Sequence, residues 1–207
     1  MLLFICHANI CRSPMAERLA RLALTAPPTW PGTGARTDAI TVASAGTHAR
    51  TGDAMHPGAA HVLAELGADN TDFSSRLVSA DLLARASLVL TATREQRAFC
   101  VRLAPVALRR TFTIRQFGRL TAAVEAPGSG ASGPGDLTAG AAAGGGSVSA
   151  VAALLDQILA VRGSLQPVPP DEDDLADPVN GTAADVLACA RQIQLSLRPA
   201  LAIIGAG

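Results

Sequence analysis

Cys6-His7-Ala8-Asn9-Ile10-Cys11-Arg12-Ser13-Pro14 is the stretch whose reading decides the fold. Upstream of it, Leu2 to Cys6 is a short apolar run of the kind found in a strand buried on both faces. Downstream, Pro14 to about Ala26 places Met15, Leu19, Leu22 and Ala23 on one helical face. A strand, a polar turn and a helix in direct succession form the opening unit of an open α/β sheet. Such sheets bind ligands at the carboxyl ends of their strands, which is where this turn falls.

The turn has a chemistry of its own. Five residues separate Cys6 from Arg12, enough to curl into a ring whose backbone N–H groups face inward and form an anion nest. The following helix aims its positive end at the same point. Ser13 suits the cap of that helix, and Pro14 suits its first position, where no hydrogen bond is lost. Arg12 offers a planar fork that matches two oxygens of a tetrahedral oxyanion. A thiol held in such a field is favoured as thiolate. The candidate phosphate-binding residues are therefore His7, Ala8, Asn9, Ile10, Cys11 and Arg12, with Cys6 as a nucleophile beneath them.

Strand and helix patterns alternate along the rest of the chain. Ile40–Ser44, Leu88–Leu90 and Thr111–Ile114 read as strands. Ala59, Val62, Leu63 and Leu66 recur at helical spacing and end at Gly67. Thr93-Arg94-Glu95-Gln96 is a capping-box pattern opening a helix through Cys100, and Thr113 with Gln116 suits the start of another. Val148, Val151, Leu155 and Ile158 form one stripe, and Val186, Ala190, Ile193 and Leu197 the last. The expected architecture is a single-domain α/β fold over 1–207, with an open, mostly parallel four-stranded sheet and helices on both faces. The active-site loop follows the first strand.

Composition narrows the function. The 17 basic residues are all Arg, balanced by 17 acidic ones, so bulk charge does not recruit nucleic acid or an acidic membrane. Without Lys or Tyr, the chain has no Schiff-base lysine, no lysine-dependent P-loop and no tyrosine acid. No apolar run approaches the length of a membrane span, and the N-terminus does not read as a signal peptide. Four Cys are too few for a disulfide framework, so a cytoplasmic protein is expected. The four His (7, 48, 56 and 61) lack ligand spacing, so neither a metal nor another cofactor is expected. Eight of the 19 Gly fall within 126–147, which reads as a flexible Gly/Ala/Ser-rich insertion.

CHANICRSPMAE, residues 6–17, resembles the signature loop of the low-molecular-weight protein tyrosine phosphatases. Ser44-Ala45-Gly46-Thr47, the Leu88–Leu90 strand and the late Asp177-Pro178 pair stand in that family's order, over roughly 1–122 and 148–203. The resemblance implies that Cys6 attacks phosphorus to form a cysteinyl-phosphate, with Arg12 on the equatorial oxygens. Ser13 would then hydrogen-bond the thiolate, while Asn9, with Ser44, holds the loop in its curl. It further implies that Asp177 is general acid and then base, and that Cys11 is a redox partner for Cys6 or a small packing residue. The implied substrate is a phosphorylated protein or small phosphomonoester, with inorganic phosphate as product. The acidic run Asp171-Glu172-Asp173-Asp174 competes for the acid role and reads instead as a solvated face.

Departures from the pattern bear on the substrate. Val179 and Asn180 stand where the family carries Tyr, Phe73 replaces a common His, and His56-Pro57 replaces Asp-Pro. Aromatic stacking is left to Trp30, Phe4, Phe73, Phe99, Phe112 or Phe117, with His7 and His48 as rim candidates. The alternatives are a protein-arginine phosphatase, where a Thr matches Ile10, and a small-molecule phosphatase. An arsenate reductase would need a close pair of resolving cysteines, whereas Cys100 and Cys189 are far apart; a silent phosphate-binding module would not need Cys6, Arg12 and Asp177 together.

Overall fold

A computed structural model describes residues 1–25, 40–125, 147–163 and 165–206. Residues 126–146 of the expected insertion lie outside them, as does Trp30, while Ser147 already opens a helix. Four strands, β1 (Leu2–Cys6), β2 (Val42–Gly46), β3 (Leu88–Thr91) and β4 (Thr111–Thr113), form one sheet in the order β2-β1-β3-β4. Every pairing is parallel. β1 is central, so its carboxyl end opens between two neighbours and delivers Cys6 to the middle of the sheet edge.

Both faces of the sheet are covered, which explains strands without polar alternation. Leu2, Phe4 and Cys6 face one core with Leu88, Leu90 and Phe112. That side is packed by α1 (Arg12–Thr25), α2 (Pro57–Glu65), α5 (Ile114–Glu125), α6 (Ser147–Val161) and α8 (Ala183–Ala206). Leu3, Ile5 and Val89 face the other core, with Leu83 of α3 (Ala80–Arg85) and Cys100 of α4 (Arg94–Leu103). A short 3-10 segment, Pro105–Arg110, leads into β4, and a one-turn helix, α7 (Pro170–Asp173), precedes Asp177.

Local signals are realised closely. Thr93 and Gln96 form the reciprocal capping box, and Gln116 N donates to Thr113 Oγ1. Gly67 follows α2 at a φ of 75°, which glycine adopts without strain. Two expectations shift. The second strand runs Val42–Gly46 rather than from Ile40, which brings Gly46 level with Cys6. α1 begins at Arg12, so Ser13 and Pro14 lie inside its first turn, and Ser13 turns its hydroxyl to the loop instead of capping the helix.

Candidate active site

Cys6 ends β1, and residues 7–11 curl before α1 begins. Three carbonyls of the curl turn outward onto backbone donors. Thr47 N donates to Cys6 O (2.9 Å), His48 N to His7 O (2.9 Å) and His56 N to Ile10 O (2.8 Å). The amide groups of His7, Ala8, Asn9, Ile10 and Cys11 donate to no acceptor among the described residues. A backbone amide group needs a partner wherever water is excluded, so this set of donors is suited to an anion. The α1 N-terminus adds its partial positive charge.

The curl is held from beneath by Asn9, which is fully buried and sits at a φ of 55°. Its Nδ2 donates to Ser13 Oγ and Ser44 Oγ, each at 2.9 Å, and its Oδ1 accepts from Arg76 N at 2.9 Å. Both amide hydrogens and the oxygen of the side chain are thus engaged. Ser44 Oγ donates in turn to Glu17 Oε2 at 2.5 Å, and Glu17 pairs with Arg21 one helical turn on. Ser13 Oγ lies 2.9 Å from Cys6 Sγ. A connected polar network therefore runs from the candidate nucleophile to a buried carboxylate.

Gly46 lets β2 approach the curl. A Cβ there would stand 2.5 Å from His7 O and 2.8 Å from Asn9 N, both backbone atoms. Its place in Ser44-Ala45-Gly46-Thr47 is the signal that marks it. Glu17, Arg76 and the Leu175 carbonyl complete the list of site groups with no role assigned from sequence. Glu17 was legible as the partner of Arg21 four residues later.

Arg12 is buried and reaches the late loop. Its Nη1 donates to Leu175 O (3.0 Å) and its Nη2 to Asp177 Oδ2 (2.5 Å). The Asp177 side chain is 44% exposed, and its Oδ1 accepts from Val179 N at 3.3 Å. After it, Thr182 and Asp185 cap α8 reciprocally. The structure thus gathers Cys6, Asn9, Arg12, Ser13, Ser44 and Asp177 in one place. The acidic run is the expected solvated face only in its first half, where Asp171 and Glu172 are exposed. Asp173 is buried, paired with Arg94 and Arg119, and Asp174 accepts from Arg94 N at 2.7 Å.

The aromatic candidates separate clearly. Phe4, Phe112 and Phe117 are buried in the core, and Phe73 lies in a cavity of about 260 Å³ with Glu17, Arg18 and Arg21. Phe99 instead meets His48, ring centroids 5.7 Å apart, and His48 stacks on His7 at 4.5 Å. Three other thiols are quiet. Burial pushes Cys11 up to about 12, helped by Cys189 and Asp177, and burial also pushes Cys100 and Cys189 up to about 12.

The family model described as low molecular weight phosphotyrosine protein phosphatase matches residues 1–130. A probable low molecular weight protein-tyrosine-phosphatase EpsP of Ralstonia solanacearum is 37% identical over 89 residues, 43% of this chain and 52% of the relative. The chain spans about half the length of the curated relatives it matches. Among solved structures, the Erwinia amylovora tyrosine phosphatase amsI aligns at a TM-score of 0.60 and 18% identity, covering 96% of this chain and 88% of that one. The YwlE arginine phosphatase of Geobacillus stearothermophilus aligns at 0.59 and 21%, covering 97% and 90%. These structural likenesses speak for the fold. With more than half of the chain matched by one family model, the chain belongs to the low molecular weight phosphotyrosine protein phosphatase family.

Proposed function

We propose that this chain is a phosphomonoester hydrolase acting on phosphotyrosine in proteins. The observation that supports it most directly is the run of amide groups from His7 to Cys11, which donate to no acceptor among the described residues and lie between Cys6 and the Arg12 fork. That arrangement fits three equatorial oxygens of a phosphoryl group and develops its strongest interactions as charge accumulates on them.

In the first step the Cys6 thiolate attacks phosphorus; the P–S bond forms as the ester P–O bond breaks. Asp177, protonated, gives its proton to the leaving oxygen. Ser13 Oγ, 2.9 Å from the sulfur, donates to it and favours its departure in the second step. There Asp177 takes a proton from water, water oxygen attacks phosphorus, and the P–S bond breaks to release inorganic phosphate. Arg12 exchanges its hydrogen bond to Asp177 for the substrate oxygens, which frees the carboxyl for proton transfer.

The tyrosine reading draws on the name of the curated relatives and on Phe99, His48 and His7 as an aromatic rim. A small phosphomonoester is the second reading, favoured by Val179 and Asn180 where aromatic walls were expected. All four cysteines are free thiols, in keeping with a cytoplasmic location, and no helix among the described residues is long and apolar enough to cross a membrane. The test is turnover of p-nitrophenyl phosphate, phosphotyrosine, phosphoserine, phosphoarginine and arsenate by the wild type and Cys6→Ser. Aryl phosphates are expected to turn over with the wild type alone. Selective cleavage of phosphoarginine would transfer the assignment to the arginine branch.

A further inference from the structure

The loop that carries Asp177 is bound to the body of the protein by an ion cluster four residues upstream. Asp173 closes α7, and its side chain is 3% exposed. Its Oδ2 accepts from Arg94 Nε (2.7 Å) and Arg94 Nη2 (2.5 Å), and its Oδ1 accepts from Arg119 Nη2. The two guanidinium groups come from different elements, α4 and α5.

The same arginines fasten the loop backbone. Arg94 Nη2 donates to Val168 O (2.8 Å), and Arg119 Nη1 to Glu172 O (3.2 Å). Arg115 Nη1 spans Asp171 O (2.6 Å) and Asp174 O (2.9 Å). Arg94 itself is fixed by the capping box at Thr93 and by donating its backbone N–H to Asp174 Oδ1. Beyond the cluster, Leu175 N donates to Ala92 O at the end of β3, and Leu175 O accepts from Arg12. Asp177 is the next residue but one.

A buried carboxylate holding two guanidinium groups is an expensive way to gain stability, because desolvation offsets most of the attraction. Its distinctive property is direction. With two Arg94 donors on Oδ2 and Arg119 on Oδ1, both carboxylate oxygens are held from two elements, which fixes the orientation of α7, and loop residues within a few bonds of it inherit that placement. An acid must stand within hydrogen-bond reach of the leaving oxygen, and a misplacement of about 1 Å costs on the order of 100-fold in rate. From this geometry we infer that Asp173, clamped by Arg94 and Arg119, is a positioning residue for Asp177 and sets the efficiency of proton delivery to the leaving group. The inference rests on the phosphatase reading above.

The experiment compares kcat/KM for p-nitrophenyl phosphate, a good leaving group that needs little acid help, with phenyl phosphate, a poor one. It uses the wild type, Asp173→Asn, Arg119→Gln and Asp177→Asn, with vanadate inhibition measured for each. Asp173→Asn is expected to lose about 10-fold more on phenyl than on p-nitrophenyl phosphate, while vanadate inhibition stays within about threefold. Arg119→Gln, altered at a partly exposed guanidinium with the Arg94 pair intact, should show the same selectivity to a smaller extent. It decides the question if Asp173→Asn does not fold. Equal losses on both substrates, or none, would overturn the clamp while Asp177→Asn remains leaving-group selective. If Asp177→Asn shows no selectivity either, the acid assignment beneath the inference fails instead.

Discussion

Arg12 Nη2 lies 2.5 Å from Asp177 Oδ2, joining two side chains 165 residues apart in sequence. The contact brings the late Asp-Pro loop beside the curl, and in the proposed reaction Arg12 has two alternative acceptors, a carboxylate and a phosphoryl oxygen. A guanidinium can serve both roles because its donors form a fixed planar fork. Asp177→Asn removes the charge that competes with an oxyanion for Arg12. Inhibition constants for vanadate and phosphate should stay level or tighten a few-fold, while turnover of phenyl phosphate, whose leaving group needs the acid, falls by roughly 100-fold. A parallel loss of vanadate binding and turnover would mean that Asp177 shapes the cradle rather than the proton transfer.

Gly46→Ala tests the closeness of β2 to the curl. The new Cβ would meet His7 O and Asn9 N, backbone atoms that move only if the loop moves. Turnover is expected to drop by about 100-fold with phosphate binding weakened alongside it, since both depend on the ring of amide groups. Isothermal titration with phosphate, set beside steady-state rates, checks that the two losses coincide.

Asn9 combines a left-handed backbone with three hydrogen bonds made by a buried side chain, and two substitutions separate these. Asn9→Gly keeps the backbone at ease and removes the bonds, for a loss of about 3 kcal/mol. Asn9→Ala adds roughly 1–2 kcal/mol of backbone strain to the same loss. Denaturant unfolding of the two variants should therefore rank Ala below Gly, the reverse of ordinary helix or strand positions.

Cys11, Cys100 and Cys189 are each pushed up to about 12, so from pH 7 to pH 9 they remain neutral thiols and poor nucleophiles. Iodoacetate, an anion, should be drawn to the cradle and alkylate Cys6 alone, with inorganic phosphate slowing the reaction. Peptide mass mapping after inactivation reads this directly. Carboxymethylation of Cys11 or Cys189 at a similar rate would show that burial does not hold them neutral.

Much of this was legible in the sequence because the decisive signals are local. A strand, a curl and a helix follow one another over residues 2–25, and the capping residues at Thr93 and Thr113 announce their helices by side-chain chemistry. What sequence could not supply was long-range pairing. The run Asp171–Asp174 looks like a solvated face until Arg94 and Arg119 arrive from two other helices and bury Asp173. Ser13 looks like a cap until the curl turns its hydroxyl toward Cys6. Phe4, Phe112 and Phe117 are needed for the core of a chain with few aromatics, whereas Phe73 lines a cavity beside α1 and Phe99 meets His48, which stacks on His7.

The central claim is that Cys6 carries the phosphoryl group. Its most direct test is an acid-quenched reaction of the chain with p-nitrophenyl phosphate, followed by mass analysis of the peptide containing Cys6. The account expects one phosphoryl group on that peptide, at the sulfur, forming as p-nitrophenol is released and absent in Cys6→Ser. Release of p-nitrophenol by Cys6→Ser at the wild-type rate, or turnover with no phosphoryl group on Cys6, would contradict it.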